Sequence, residues 1–285
     1  MPDPAASAAV VFVNLIATAG WFALLLALDP NRRVKKTARA LLECYLLGLG
    51  SVALALLLHW VVDLPLLAGY RAGNADSLLY WIYEELRTGL VEEAAKFLVF
   101  YAITRAMRSL KEPLDGVLQA AAVALAFASV ENLLYGVRFA SVGLVLKRTL
   151  ITTTGHLSYA AVWGLFTACL RFGFLKGEAR AGRRVLALAV LGAALLHSTY
   201  NLLLDVGQWP FALALVAFSL LVAFRFLRSL ARQPLYGAQP IAQPEQTLRL
   251  LHGSWQQGSD IPWAWPTCPA AIPPRHCAIW AAAGP

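Results

Sequence analysis

Ionisable and polar side chains stand inside four apolar stretches of this sequence, where each charge costs on the order of 2.5–3.5 kcal/mol to insert into a bilayer. They are therefore the first candidates for chemistry. The set consists of Glu92, Glu93 and Lys96 in one stretch, Glu131, Asn132 and Tyr135 in the next, then His156, and finally His197 and Asn201. Carboxylates and imidazoles together can activate a water molecule or ligate a metal ion. The set predicts a hydrolytic or metal site within the membrane.

Four of these residues fall at a similar depth. Glu92, Glu131, His156 and His197 each lie about 13–16 residues from the cytoplasmic end of their stretch, which is roughly 20–24 Å along a helix. Scattered polar residues need not share a level, whereas the residues of one site must. We therefore expect these side chains to converge near the midplane, slightly toward the outer face and within reach of water.

The two adjacent carboxylates cannot have the same role, because neighbouring residues differ by about 100° around a helix. One of Glu92 and Glu93 should face the site while the other braces a neighbouring helix or Lys96. Lys96 is interpreted as the partner that neutralises the carboxylates. The residues alone leave two chemistries open: a carboxylate that acts as base and then acid, or a metal held by Glu131, His156 and His197. No His-Glu-x-x-His stretch occurs.

The elements that must position these residues follow from composition. The chain is 59% hydrophobic and 14% charged, which is far from the average of soluble proteins. A spanning helix needs about 20 apolar residues, and seven stretches come close: 5–28, 40–62, 86–104, 114–135, 149–170, 185–205 and 210–230. We predict an all-α polytopic transmembrane helix bundle of about seven spans, or eight if an interfacial helix precedes residue 86.

Basic residues set the expected orientation. Most of the Lys and Arg residues cluster after the first, third, fifth and seventh stretches, so the positive-inside rule places the N-terminus outside and the C-terminus in the cytoplasm. The loops on the outer side receive only Arg71, Arg138, Lys147 and Arg148. Because the net charge of +8 is distributed in this topological way, we expect no nucleic-acid partner. Composition favours a bacterial plasma membrane.

Two regions differ in composition. Residues 1–232 hold all the apolar stretches and form the predicted transmembrane domain, whereas residues 233–285 are rich in Pro and Trp and lack periodicity. We predict that this second region is a disordered cytoplasmic tail. The sequence does not indicate an oligomeric state.

Four motifs, in order, resemble the PrsW family of intramembrane proteases, which are distant relatives of the CAAX-processing and bacteriocin-processing membrane proteases. The motifs are Glu-Glu-x-x-Lys from Glu92, Phe-x-x-x-Glu-Asn-x-x-Tyr from Phe127, Gly155-His156, and His-x-x-Tyr-Asn from His197. Glu131 stands where the relatives carry His, which favours the PrsW branch. The resemblance covers about residues 75–205.

The resemblance implies a catalytic site built from Glu92, Glu93, Glu131, His156 and His197. It also implies regulated proteolysis of membrane-anchored substrates, such as anti-sigma factors. Our hypothesis is that Glu92 or Glu93 activates a water held by the other groups, with Asn201 donating to the oxyanion, and that a single-pass protein is cut near its outer membrane boundary. Zinc is the metal such a site would hold. The alternatives are an ion- or proton-coupled transporter, a CAAX-type membrane protease and a non-cutting scaffold.

Overall fold

The structure, a computed structural model, describes residues 4–29, 37–62, 78–172 and 179–231. Within these ranges every regular element is a helix, which confirms the predicted all-α fold. The helices are α1 Pro4–Leu28, α2 Thr37–Gly48, α3 Gly50–Val62, α4 Leu78–Met107, α5 Pro113–Arg138, α6 Val142–Leu150, α7 Thr152–Arg171, α8 Ala179–Asp205 and α9 Trp209–Ala231. The predicted tail at 233–285 lies outside the described residues.

Four helical segments are long and apolar enough to cross a membrane. They are Ala5–Leu28, Thr37–Val62, Pro113–Arg138 and Ala181–Asp205, and α9 adds the shorter apolar stretch Trp209–Arg225. If α2 and α3 are counted as one, the long helices of the described residues correspond one to one to the seven predicted spans. The chain is an integral membrane protein with an α-helical bundle fold.

Two helix boundaries differ from the prediction. Helix α4 begins at Leu78 rather than at residue 86, because no Gly or Pro interrupts the aromatic stretch that leads into it; residues 63–77 of the expected interfacial segment lie outside the described residues. The second span is divided at Leu49, between Gly48 and Gly50. A Cβ on Gly48 would lie 2.9 Å from the Cα of Val123, so the break occurs where this span packs directly on the α5 backbone.

The fifth predicted span, 149–170, begins at Thr152 and is preceded by the separate short helix α6. The hydroxyl of Ser141 caps α6 by accepting from the Leu144 N–H at 3.1 Å. A run of β-branched residues, Thr149 to Thr154 apart from Leu150, follows and has low helix propensity. Helix α6 turns back alongside α5, and this return brings α6 to the level of the predicted site.

Helix α5 is the centre of the bundle, and all its residues from Pro113 to Ser129 are buried. Its closest neighbour is α7: a Cβ on Gly116 would lie 2.5 Å from the Gly164 carbonyl, and one on Gly164 would lie 2.5 Å from the Gly116 carbonyl. Small residues at these positions let the two backbones touch, which is how helices associate in lipid. Helix α4 packs against α8 in the same way, since Gly89 leaves room for the Ser198 hydroxyl. These contacts bring the four motif-bearing helices together.

Candidate active site

The centre of the site is a buried ion pair on α4. Glu93 and Lys96 are both 0% exposed, and the Lys96 ammonium donates to Glu93 Oε1 at 2.6 Å. The pair forms because residues three apart share a helix face. Glu93 also accepts from His197 Nδ1 at 3.1 Å and, on its other oxygen, from the Trp163 indole at 3.1 Å. This carboxylate therefore ties α4 to α7 and α8, and Lys96 neutralises it as predicted.

His156 lies between Lys96 and Glu131. The Lys96 ammonium contacts His156 Nδ1 at 3.0 Å, and because an ammonium has only donors, Nδ1 must accept. The ring proton is then on Nε2, which faces Glu131 Oε2 at 3.0 Å. The aromatic ring of Phe127 lies 4.4 Å from the Lys96 ammonium, so a motif residue supports the cation from the α5 side. One tautomer and one orientation of His156 are thereby selected.

His197 and Glu92 form the more open part of the site. His197 uses Nδ1 for Glu93, which leaves Nε2 directed toward Glu92 Oε2 at 3.8 Å. That oxygen is buried and has no hydrogen-bond partner among the described residues, although the Glu92 side chain as a whole is 12% exposed. The adjacent carboxylates thus differ as expected from their angular separation: Glu93 braces the helices and Glu92 faces the site.

The donor atoms suit a metal ion. One ligand atom each from Glu92, His156 and His197 lies within 4.8 Å of the others, and two imidazoles with a carboxylate are a common catalytic zinc set. Glu92 Oε2 also fits, since it is buried, makes no hydrogen bond among the described residues and has only the longer contacts to Lys96 Nζ at 3.9 Å and His197 Nε2 at 3.8 Å. The set predicted from sequence has Glu131 in place of Glu92. The spacing favours Glu92, because Glu131 directs its oxygens to His156 and Arg148.

Arg148 of α6 was predicted from the sequence only as a basic residue of the outer side, and the structure places it at the site. Its guanidinium forms an ion pair with Glu131 at 2.7 Å, and its Nε–H donates to Asn132 Oδ1 at 3.1 Å. The guanidinium also lies 3.9 Å from the Tyr135 ring centroid. Asn132 in turn donates to the Thr153 hydroxyl at 2.9 Å. Asn132 and Tyr135 of the predicted set therefore surround Arg148. The only sequence signal was the basic residue in the short segment between two motif-bearing spans.

Asn201 lies one turn beyond His197 on α8 and is partly buried. It interacts with Glu85 of α4, which also faces Asp205. It is thus beside this cluster, where α4 and α8 pack together, and its role as an oxyanion donor stays a prediction. The structure brings the other five predicted catalytic residues into one connected network.

Comparison with known proteins shows the family of this chain. The family model described as PrsW family intramembrane metalloprotease matches residues 36–227. Protease PrsW of Clostridioides difficile (strain 630) is 27% identical over 193 residues, which cover 66% of this chain and 77% of that protein. Protease PrsW of Geobacillus kaustophilus (strain HTA426) is 30% identical over 160 residues, 56% of this chain and 67% of that protein.

Protease PrsW of Shouchella clausii (strain KSM-K16) is 31% identical over 117 residues, 41% of this chain and 52% of that protein. No solved structure matches the chain. The family match covers most of the sequence and includes all four motif-bearing helices. This chain therefore belongs to the PrsW family of intramembrane metalloproteases and is a membrane peptidase.

Proposed function

We propose that this peptidase cuts single-pass, membrane-anchored proteins near their outer membrane boundary. Residues 1–232 would form the protease domain in a bacterial plasma membrane, with the N-terminus outside. The observation that carries the proposal is the convergence of carboxylates and imidazoles from α4, α5, α7 and α8 around one carboxylate oxygen, on Glu92, that has no hydrogen-bond partner among the described residues. Regulated proteolysis of an anti-sigma factor is the biological role that we propose for it.

In the proposed chemistry Glu92 is the general base and then the general acid. Its Oε2 is 3.8 Å from His197 Nε2, which is too long for a direct hydrogen bond, so a water molecule can bridge these two atoms. Glu92 takes a proton from the water as the water attacks the peptide carbonyl, and it returns the proton to the departing amine. Asn201 is the proposed donor to the oxyanion.

The other site residues keep this arrangement fixed. Glu93 holds the Nδ1–H of His197, so the free Nε2 stays directed at Glu92. A carboxylate that receives the second N–H of a histidine in this way is typical of metal-ligating imidazoles. His156 would bind zinc through Nδ1, in place of the contact that this nitrogen makes with the Lys96 ammonium, and His197 through Nε2. The third ligand would be one carboxylate. With Glu131, as predicted from the sequence, Glu92 is free to handle the proton; with Glu92, as the spacing favours, only its oxygen that does not bind the ion could do so. Such an ion supplies Lewis-acid activation of the water and the carbonyl.

One feature favours a second candidate, a proton-coupled transporter. Arg148, Glu131, His156, Lys96 and Glu93 form a continuous chain of ionisable contacts that is buried at His156, Lys96 and Glu93 and partly exposed at the Arg148 end. Chains of this kind also serve as proton relays in membranes. The peptidase is favoured because the family is one of proteases.

Purified full-length protein in proteoliposomes tests the proposal. The substrates are single-pass proteins labelled at both ends, including the anti-sigma factors of the source bacterium, and each is incubated with and without a zinc chelator. We expect one product, with the cut mapped by mass spectrometry to the outer end of the substrate span. We expect the chelator to abolish the cut and zinc to restore it.

A parallel measurement of proton flux in the same vesicles separates the two candidates. Flux across the membrane without cleavage of any substrate would favour the transporter and contradict the peptidase. Zinc content separates the two carboxylates, because Glu92→Gln and Glu131→Gln should differ in whether the ion is retained.

A further inference from the structure

We propose that Arg148 is a positioning residue of the peptidase: it fixes the Glu131 carboxylate, and through that carboxylate it fixes His156. This inference rests on the proposed function, and it concerns a residue outside the four sequence motifs. Arg148 would not contact the substrate. Its task is to keep one oxygen of Glu131 occupied so that the other is directed at the histidine.

The first observation is the way the two oxygens of Glu131 are used. Oε1 is paired with Arg148 at 2.7 Å, and Oε2 faces His156 Nε2 at 3.0 Å. The carboxylate comes from α5, the guanidinium from α6 and the imidazole from α7, so three helices meet at one group. The Glu131 side chain is 23% exposed; without a partner on Oε1, it would be free to rotate toward water. The ion pair with Arg148 removes that freedom.

The second observation is that Arg148 itself is held from two further directions. Asn132 accepts its Nε–H at 3.1 Å, and the face of Tyr135 lies 3.9 Å from its guanidinium. These residues follow Glu131 in the chain by one and four positions and lie on the same part of α5. A planar guanidinium suits this arrangement, because it can donate from Nε, pair through NH2 and stack on an aromatic ring at the same time. Glu131, Asn132 and Tyr135 of the α5 motif therefore together bind the guanidinium of Arg148.

The third observation is that α6 presents Arg148 inward in a fixed position. Val145 is fully buried, and the Trp21 indole of α1 donates to the Thr149 carbonyl at 3.0 Å. The adjacent Lys147 is exposed, whereas the Arg148 side chain is only 13% exposed. A basic residue that served only to set topology could remain in solvent as Lys147 does. The Arg148 guanidinium is instead mostly buried, which costs desolvation free energy, and it points toward Glu131.

The consequence for the reaction is specific. Residues that orient a metal-ligating or catalytic histidine through a carboxylate typically change activity or metal affinity by about 10–100-fold when they are removed. We expect Arg148→Gln to lower kcat by about 10–100-fold with little change in KM, since the residue does not touch the substrate. We also expect Glu131→Gln and the double variant Arg148→Gln/Glu131→Gln to have similar kcat values, because the arginine acts only through Glu131.

The experiment compares these variants with Lys147→Gln, a matched control that removes the neighbouring exposed charge from the same helix. Cleavage is measured in proteoliposomes, and the unfolding temperature of each variant is recorded. Arg148→Ala is assayed with added methylguanidinium and, separately, with methylammonium at the same concentration. We expect methylguanidinium to restore part of the lost kcat, whereas methylammonium and the variant Arg148→Lys restore little. A merely structural role would not show this selectivity.

The outcomes separate this inference from the proposed function. If the wild type cleaves and Arg148→Gln keeps its kcat, the positioning role is wrong and the proposed function stands. The same conclusion follows if the fold-losses of kcat from Arg148→Gln and Glu131→Gln multiply in the double variant. A wild type that cleaves no membrane-anchored substrate overturns both. A loss of kcat that methylguanidinium repairs, with Lys147→Gln unchanged, supports the positioning role.

Discussion

Replacing Lys96 by Met should destabilise the bundle more than any change to an exposed lysine. Lys96 is fully buried and donates to Glu93 and His156, and removal of one partner from a buried ion pair typically costs about 3–5 kcal/mol. Glu93 keeps its donors from His197 and Trp163, so we expect the lower end, about 3 kcal/mol. The loss arises because a buried carboxylate would be left without its countercharge.

A double-mutant cycle isolates this contribution. Glu93→Gln alone removes the nearer anionic partner of the buried Lys96 ammonium and leaves only Glu92 Oε2 at 3.9 Å, so it should also cost about 3 kcal/mol. The double variant Lys96→Met/Glu93→Gln carries neither charge, so its loss should be smaller than the sum of the single losses by at least about 2 kcal/mol. The free energy of unfolding is measured in lipid–detergent micelles by tryptophan fluorescence.

Lys147→Met serves as the control, because that side chain is exposed and should change stability by less than about 0.5 kcal/mol. Additive losses in the cycle, within about 0.5 kcal/mol, would refute the reasoning, since they would mean that the two charges do not depend on each other. A Lys96→Met variant as stable as the control would refute it as well.

Three further predictions concern packing, the bracing of Glu93 and the metal. Gly164→Ala places a Cβ 2.5 Å from a facing backbone carbonyl and should cost about 1–3 kcal/mol, whereas Gly192→Ala, with open space around it, should be neutral or slightly stabilising; equal melting temperatures would contradict the close α5–α7 contact. Trp163→Phe removes the indole donor to Glu93 and should cost about 1–3 kcal/mol of unfolding free energy, and an unchanged value would show that this bond contributes nothing. Added zinc should raise the unfolding temperature of the wild type and not that of His197→Ala; an identical rise in both would exclude His197 as a ligand.

Much of the fold could be predicted from the sequence, because lipid requires long apolar helices and their hydropathy is visible in the chain. The division of the second span at Leu49 and the early start of α4 at Leu78 could not be predicted in the same way. The division at Leu49 depends on how closely Gly48 approaches α5. The start at Leu78 was missed because the composition of the stretch before residue 86 fits a separate interfacial helix as well as it fits the first turns of α4. Only the division at Leu49 is decided by tertiary packing.

The candidate site, like the fold, could be predicted from the sequence only in part. The distance of each residue from the cytoplasmic end of its stretch predicted that Glu92, Glu131, His156 and His197 lie at one level. In the structure these four residues belong to one network of polar contacts. Sequence spacing could not decide which of the adjacent carboxylates braces the helices, since that depends on where Trp163 and His197 lie on other helices. It also missed Arg148, because a basic residue that sets topology and one that pairs with a carboxylate look alike in the chain.

The measurement that tests the central claim most directly is cleavage of a single-pass substrate by purified wild type and by three variants, Glu92→Gln, Glu93→Gln and His197→Ala, each in proteoliposomes below its unfolding temperature. If acidic and imidazole groups from separate helices form one hydrolytic centre, the wild type cuts and each folded variant yields no product. Product from all three variants at the wild-type rate would show that the cluster is not the catalytic site.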